Sequence, residues 1–378
     1  MARFILISLK RKLPLFIITL VLFAHCAFII AFNASFEVYE YYNNATTVML
    51  LYVIVFMLIM LILPLFSMNY RYSLAKSDLF RQVPYKPNRI RYIEHLTTLG
   101  IILIGFTLGY FFSLFAMMIR NHAIYQDYLI HDPEAIILRF NYGYFALAYL
   151  PLVAMGIMQY FISYLFISRS NNLLNSIVML FFGEMILLLI YLTPIRFFHD
   201  YGRLYNSSVA LPCIMYEEVF EQLIVNGKTK QSLTFDASFA KETLGSILYL
   251  LQYIVYAGIA VIGFVAFLIE KDPSSEYAGK SKTNRPYQEI IFHLGAFIFF
   301  STICGLTQSL IYFLISYVFF LVVYYTLFGI LNRNFVPKIK DVIIIISVAA
   351  AVLLYCIGLF IHEWYVTAHY NAEDLIIY

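Results

Sequence analysis

Charge is what this sequence has least of. Only 12% of its 378 residues are Asp, Glu, Lys or Arg, against roughly 25% in a soluble globular chain. Water does not solvate a surface so poor in charge, which excludes an ordinary soluble domain and leaves lipid as the solvent for much of the area. Cysteine is scarce as well. Cys26, Cys304 and Cys356 fall inside apolar runs and only Cys213 lies in a polar segment, so no intrachain disulfide framework forms. Titratable groups deep in the apolar runs are nearly missing. Glu184 in "LFFGEMILLL" is the one acid or base placed well inside a run, with His25 and His293 as further candidates. That excludes a proton relay of serial carboxylates and an arginine voltage sensor. Glu184 has two readings, an intramembrane functional group or a protonated carboxyl bonded to a neighbouring helix. The plainer packing role is preferred for His25 and His293.

Catalytic and nucleotide motifs are absent too. "NGKTK" at 226–230 ends like a phosphate loop, but the full loop needs a glycine where Gln222 stands. "HEWYV" at 362–366 starts like a zinc-protease helix, but Val366 stands where the second histidine is required. The remaining histidines show no metal-ligand spacing. The chain is therefore read as neither an enzyme nor a metal protein, and as carrying no cofactor of its own.

What is present is a series of uncharged runs. They hold 24 residues between Lys12 and Glu37, 30 between Glu40 and Arg71, 25 between Glu94 and Arg120, and 29 between Arg139 and Arg169. Further on they hold 27 between Glu242 and Glu270, 43 between Glu289 and Arg333, and 21 between Asp341 and Glu363. A helix crosses the hydrocarbon in roughly 20 residues. In hydrocarbon the backbone must satisfy its own hydrogen bonds, so the runs are helices. The pattern predicts an all-α polytopic membrane protein with nine transmembrane helices: 13–32, 48–68, 96–119, 142–167, 174–195, 243–269, 290–309, 312–331 and 342–361. The first follows "KRK" but lacks a small-residue cleavage site, so it is read as a retained helix rather than a signal peptide.

Lys and Arg set the orientation. With the N-terminus cytoplasmic, the inner segments hold 18 of the 25 and the outer ones 7. This predicts one transmembrane domain over 1–378, N-terminus in and C-terminus out. Its parts are a cytoplasmic loop at 69–95, an outer loop or helical cap at 196–242, a second cytoplasmic loop at 270–290 and an outer tail at 362–378. The abundance of Ile, Phe, Tyr, Lys and Asn fits an AT-rich bacterial genome, so the expected location is the plasma membrane of a bacterium, and the outer sequons at Asn33, Asn44 and Asn206 are discounted.

The densest charge lies in "LAKSDLFRQVPYKPNRIRYIEHL", residues 74–96. Tyr72, Ala75, Leu79, Phe80 and Val83 recur at helical spacing, with Lys76, Ser77, Asp78 and Arg81 over much of the other face. Ser77 or Asp78 is a candidate cap, and Pro84 and Pro87 end the helix. A short amphipathic helix under the membrane follows. It serves either as a basic anchor on anionic lipid or as a docking knob for a cytoplasmic subunit.

"SDLFRQVPYKPNRIRYIEHL" resembles the loop between the second and third spans of ABC-2-type permeases of Gram-positive bacteria. "SEYAGK" at 275–280, within "EKDPSSEYAGKSKTNRPYQEII", resembles a second loop of the same family, followed by a charge-free helical hairpin. The matches cover roughly 50 residues, and the order of spans extends the likeness. The chain departs from many such permeases in having only "HEWYVTAHYNAEDLIIY" after its last span, where they carry a large outer domain. The resemblance implies a coupling helix at Asp78, Leu79, Phe80, Arg81 and Pro84, seated in a groove of a separate ATP-binding subunit. ATP and Mg would sit in that subunit. Glu276, Ala278 and Gly279 would belong to a second cytoplasmic element, Gly279 permitting a positive φ after a short helix. The partners implied are that ATPase, a second permease chain in a homo- or heterodimer, and membrane lipid, with no nucleic acid. The cargo expected is an apolar or amphipathic compound moving outward. The alternative from another class is a membrane scaffold or sensor that transports nothing.

Overall fold

The computed structural model describes residues 2–32, 38–73, 75, 77–78, 82, 86–131, 142–198, 238–270, 285–305, 310–332 and 335–373. Among them are nine α-helices and no strand. They are α1 (Ala2–Phe32), α2 (Val38–Ser67), α3 (Pro87–His131), α4 (Tyr142–Ile167), α5 (Leu173–Phe198), α6 (Ser238–Ile269), α7 (Arg285–Gly305), α8 (Leu310–Asn332) and α9 (Ile339–Glu373). A single 3-10 turn, Asn69–Tyr72, follows α2. The described residues of the uncharged runs are almost all helical, the run from 290 to 332 being shared by α7 and α8, as expected for backbone that has no water to bond. Three described stretches are long and apolar enough to cross a membrane: Pro87–Ala116, Tyr312–Leu331 and Ile339–Gly358.

The chain divides into two compact units. One comprises Met1–Tyr70, Asp78–Leu165 and Pro194–Asp272, and the other Arg71–Ser77, Phe166–Thr193 and Pro273–Tyr378.

Aromatic side chains fill the first unit. Phe23 of α1, Phe56 of α2 and Phe106 of α3 are fully buried. Phe56 stacks on Phe106 with centroids 3.7 Å apart, and Phe23 meets Phe106 edge-on at 5.5 Å. Helices α4 and α6 approach more closely still. A Cβ on Gly263 would lie 2.2 Å from the carbonyl oxygen of Phe161, so only a residue without a side chain fits that crossing. Small residues at such points let helices pack where lipid gives no hydrophobic drive for association.

The second unit repeats this economy. Phe182 of α5 meets Phe292 of α7 edge-on at 5.2 Å, and Phe292 stacks on Tyr324 of α8 at 5.4 Å. The Tyr317 hydroxyl of α8 donates to the Ala349 carbonyl of α9 at 2.9 Å. A Cβ on Gly295 would lie 2.7 Å from the Phe182 carbonyl oxygen. The outward faces of α8 and α9 are apolar and bare, with Ile315, Val318, Phe319, Ile343 and Ile346 all exposed, which suits lipid as the neighbour.

Helix ends are closed by local polar groups. Asn172 accepts from the Leu174 amide on its side chain at 3.0 Å, and its carbonyl takes the Ser176 amide at 2.9 Å, making it the N-cap of α5. Asp341, in the first turn of α9, reaches back to accept from the Lys338 amide at 3.2 Å. Asn172→Ala is expected to cost about 1 kcal/mol, and Asn172→Asp to retain most of it. Denaturant unfolding of the protein in detergent micelles measures both.

Helix α3 begins earlier than hydropathy suggests. It starts at Pro87, where the fixed φ suits a first helical position, and not at 96. The amides of Arg89 and Ile90 already bond the Lys86 carbonyl at 2.9 and 3.3 Å. The charged residues from Arg89 to Glu94 are thus part of the helix and not of a loop. Upstream, Ala75, Ser77 and Asp78 are helical. The Ser77 amide bonds the Ser73 carbonyl at 2.9 Å and the Gln82 amide bonds the Asp78 carbonyl at 3.1 Å.

Candidate functional site

The polar chemistry of the first unit gathers on the first three turns of α3. Arg91, Glu94, His95 and Thr98 stand at i, i+3, i+4 and i+7, which places them on one helix face. All four are buried, Arg91 completely. On α1, Ser8, Arg11 and Lys12 stand at i, i+3 and i+4, a second polar stripe that meets the first.

Glu94 is the hub between the stripes. Its carboxylate accepts from Lys12 at 2.8 Å, from Arg11 at 2.9 Å and from the Ser8 hydroxyl at 3.2 Å. The Lys12 ammonium also reaches the Glu94 carbonyl at 2.6 Å and the hydroxyls of Thr97 and Thr98 at 3.0 and 2.5 Å. Those threonines send their own protons back to helix carbonyls, Thr97 to Ile93 and Thr98 to Glu94, both at 2.6 Å. Their lone pairs are therefore available to the ammonium. Burial lowers the Lys12 ammonium from its ordinary value, and the Glu94 carboxylate offsets part of that loss. Arg11 remains two-thirds exposed, so its share of the hub is screened and weak.

Arg91 faces the other way, toward the end of α6. Its guanidinium donates to the Phe267 carbonyl at 3.0 Å and to the Glu270 carbonyl. The neighbouring Tyr92 hydroxyl donates to the Leu268 carbonyl at 2.7 Å. These are carbonyls at the end of a helix, where intrahelical donors have run out and the dipole is negative. The guanidinium also lies 5.2 Å from the Tyr92 ring and 5.8 Å from the Phe267 ring.

His95 points into α4. Its Nδ1 bonds the Tyr160 hydroxyl, which donates onward to the Ser67 hydroxyl of α2 at 3.4 Å. Its ring meets Tyr164 and Phe267 edge-on at 5.2 and 5.3 Å. The Tyr164 hydroxyl in turn donates to the Glu270 carboxylate. Three turns of α3 thus carry specific bonds to α1, α2 by way of Tyr160, α4 and α6. The arrangement holds charges still. It offers no nucleophile poised beside a base. No group of three or more His, Cys, Asp or Glu among the described residues could hold a metal ion.

Of the residues singled out from sequence, Asp78, Glu184, His25 and His293 are among the described residues. Asp78 is described and half-buried, whereas Leu79, Phe80, Arg81 and Pro84 lie outside the described residues, as do Glu276, Ala278 and Gly279. Glu184 lies within α5, half-buried, and His25 is exposed on α1. His293 of α7 bonds the Tyr324 hydroxyl through Nδ1 at 2.5 Å and stacks at 6.0 Å on Phe328, which fits the packing role. Sequence reasoning took Arg91 and Glu94 for surface charge. The signal that marks them as a buried seam is the pair of polar stripes, 91/94/95/98 and 8/11/12.

No family model, no curated protein and no solved structure matches the chain.

Proposed function

We propose that the chain is the membrane-spanning permease subunit of an ATP-driven transporter, sited in a bacterial plasma membrane and powered by a separate ATP-binding subunit. It crosses the membrane nine times, N-terminus in, and pairs with a second permease chain. The residues that dock the ATPase are Asp78, Leu79, Phe80, Arg81 and Pro84. The cargo is an apolar or amphipathic compound moving outward.

The observation that carries this reading is the seam on α3. The segment that resembles a coupling helix immediately precedes α3 in the sequence, and the first turns of α3 are bonded to α1, α4 and α6. A push delivered at 78–84 would therefore move several helices and not one. A bonded seam of this kind would pass a displacement of α3 to the helices it holds.

Co-purification from native membranes tests the reading. The native chain is expected to bring down an ATP-binding protein, and Leu79→Asp with Phe80→Asp, inserted to the same level, to lose it. Absence of any ATPase with the native chain would favour the scaffold or sensor. Equal recovery with both would remove the docking role from 78–84.

A further inference from the structure

Within the second unit, α8 and α9 each hold a stretch long and apolar enough to cross a membrane, Tyr312–Leu331 and Ile339–Gly358. Residues 332–338 alone separate the two stretches. A connection this short between two spans lies where the hydrocarbon ends. The turn closes its own polar groups. The Tyr325 hydroxyl of α8 donates to the Phe335 carbonyl. The Phe335 ring lies over Gly329, where a Cβ would come within 2.4 Å of it. Asp341 is buried and accepts from the Lys338 amide. The amides of Asp341 and Val342 in turn bond the Lys338 carbonyl at 2.8 and 3.0 Å.

What this folding leaves outward is apolar and basic together. Ile339 and Val336, 82% and 76% exposed, are the two most exposed large apolar side chains among the described residues, and Phe335 is exposed beside them. Lys338 and Lys340 are exposed on the same turn. Among the described residues neither ammonium has an ion-pair partner. Ile339 also opens a stripe on α9, with Val342, Ile343 and Ile346 following at i+3, i+4 and i+7, all exposed. Val336, three residues before Ile339, carries that stripe into the turn. On a membrane-spanning helix such a stripe meets acyl chains, so lipid is the cover that reaches the turn as well.

We propose that the turn from Phe335 to Lys340 is a membrane-surface anchor that selects anionic phospholipid. Val336 and Ile339 enter the upper acyl region, with Phe335 at its edge, and Lys338 and Lys340 meet the headgroups. Lysine suits this position because its stem lies along apolar neighbours while the ammonium stays at the polar boundary. Each lysine at the surface adds attraction to a net negative headgroup, whereas apolar insertion alone draws any phospholipid. The anchor goes beyond the permease reading and needs no ATP-binding subunit. It requires only that α8 and α9 cross the membrane.

Fluorescence quenching by brominated lipid tests it. The full chain is reconstituted in vesicles of equal parts phosphatidylglycerol and phosphatidylcholine. Its single tryptophan is removed by Trp364→Phe, and a reporter is placed by Val336→Trp. Bromine on the acyl chains of one lipid or the other quenches a tryptophan that those chains touch. Brominated phosphatidylglycerol is expected to quench at least about twofold more strongly than brominated phosphatidylcholine, and Lys338→Gln with Lys340→Gln to bring the ratio to about one. Ile339→Trp is the second reporter, used if Val336→Trp does not insert. Equal quenching by the two lipids with both lysines present overturns the selection. A preference that survives loss of the lysines overturns their role in it. No quenching by either lipid means that water or a second copy of the chain covers the turn, and overturns the anchor.

Discussion

Glu94→Ala is expected to lower the stability of the first unit by about 3–5 kcal/mol, the usual effect of removing one member of a buried ion pair. The Lys12 side chain is only 12% exposed, and without Glu94 it would keep a buried ammonium facing two threonine hydroxyls and a carbonyl. Desolvation of that charge would then stand without its main offset. Replacing both partners with apolar residues, Lys12→Met with Glu94→Leu, is expected to recover most of the loss, because no charge is left behind. Glu94→Gln should fall between, since its amide oxygen still accepts from Lys12. Denaturant unfolding in detergent micelles measures the series. A double variant as unstable as Glu94→Ala would show that the pair itself, and not the abandoned lysine, carries the effect. Added salt should change the native value little, as Lys12 and Glu94 are shielded from the ions that screen surface pairs.

Gly263→Ala should be almost as damaging, although it adds one methyl group to a helix that would otherwise welcome it. On an unobstructed helix this change is favourable by about 0.8–1 kcal/mol. At 263 the new carbon would meet the Phe161 carbonyl oxygen at 2.2 Å, and a backbone atom has no rotamer by which to leave. Helices α4 and α6 must separate, which places the cost at the upper end of the roughly 1–3 kcal/mol typical of overpacking. Gly258 is the internal control. It lies on the same helix with nothing within 4 Å of its Cβ position, so Gly258→Ala is expected to be neutral or mildly stabilising. Thermal unfolding of the two variants side by side gives the comparison. Equal behaviour would mean that the α4–α6 crossing is looser than the structure has it.

The all-helical architecture was legible because charge-free runs longer than a membrane is thick have one backbone solution in hydrocarbon. The start of α3 was not. Hydropathy assigns Arg91 and Glu94 to a surface, whereas both are buried because partners wait for them: helix-end carbonyls for the cation, Lys12 and Arg11 for the anion. Periodicity held that information, since 91, 94, 95 and 98 share a face, as do 8, 11 and 12. It identifies a polar seam without naming the helix opposite. The close approaches at Gly263 and Gly295 were illegible for another reason. Their meaning lies in the Phe161 and Phe182 carbonyls, distant in sequence, and a glycine in an apolar run looks the same whether it faces lipid or a neighbouring backbone. The docking role proposed for Asp78, Leu79, Phe80, Arg81 and Pro84 rests on amphipathic spacing and family resemblance alone.

The central claim is that the Leu79–Phe80 knob touches an ATP-hydrolysing protein, and photo-crosslinking in native membranes tests it most directly. A benzophenone amino acid would replace Leu79 in one sample and Phe80 in another, with irradiation before any detergent is added. The expected result is a covalent adduct at one or both positions with a protein that carries a phosphate-binding loop. Adducts confined to lipid at both positions would contradict it and leave the basic segment as a membrane anchor.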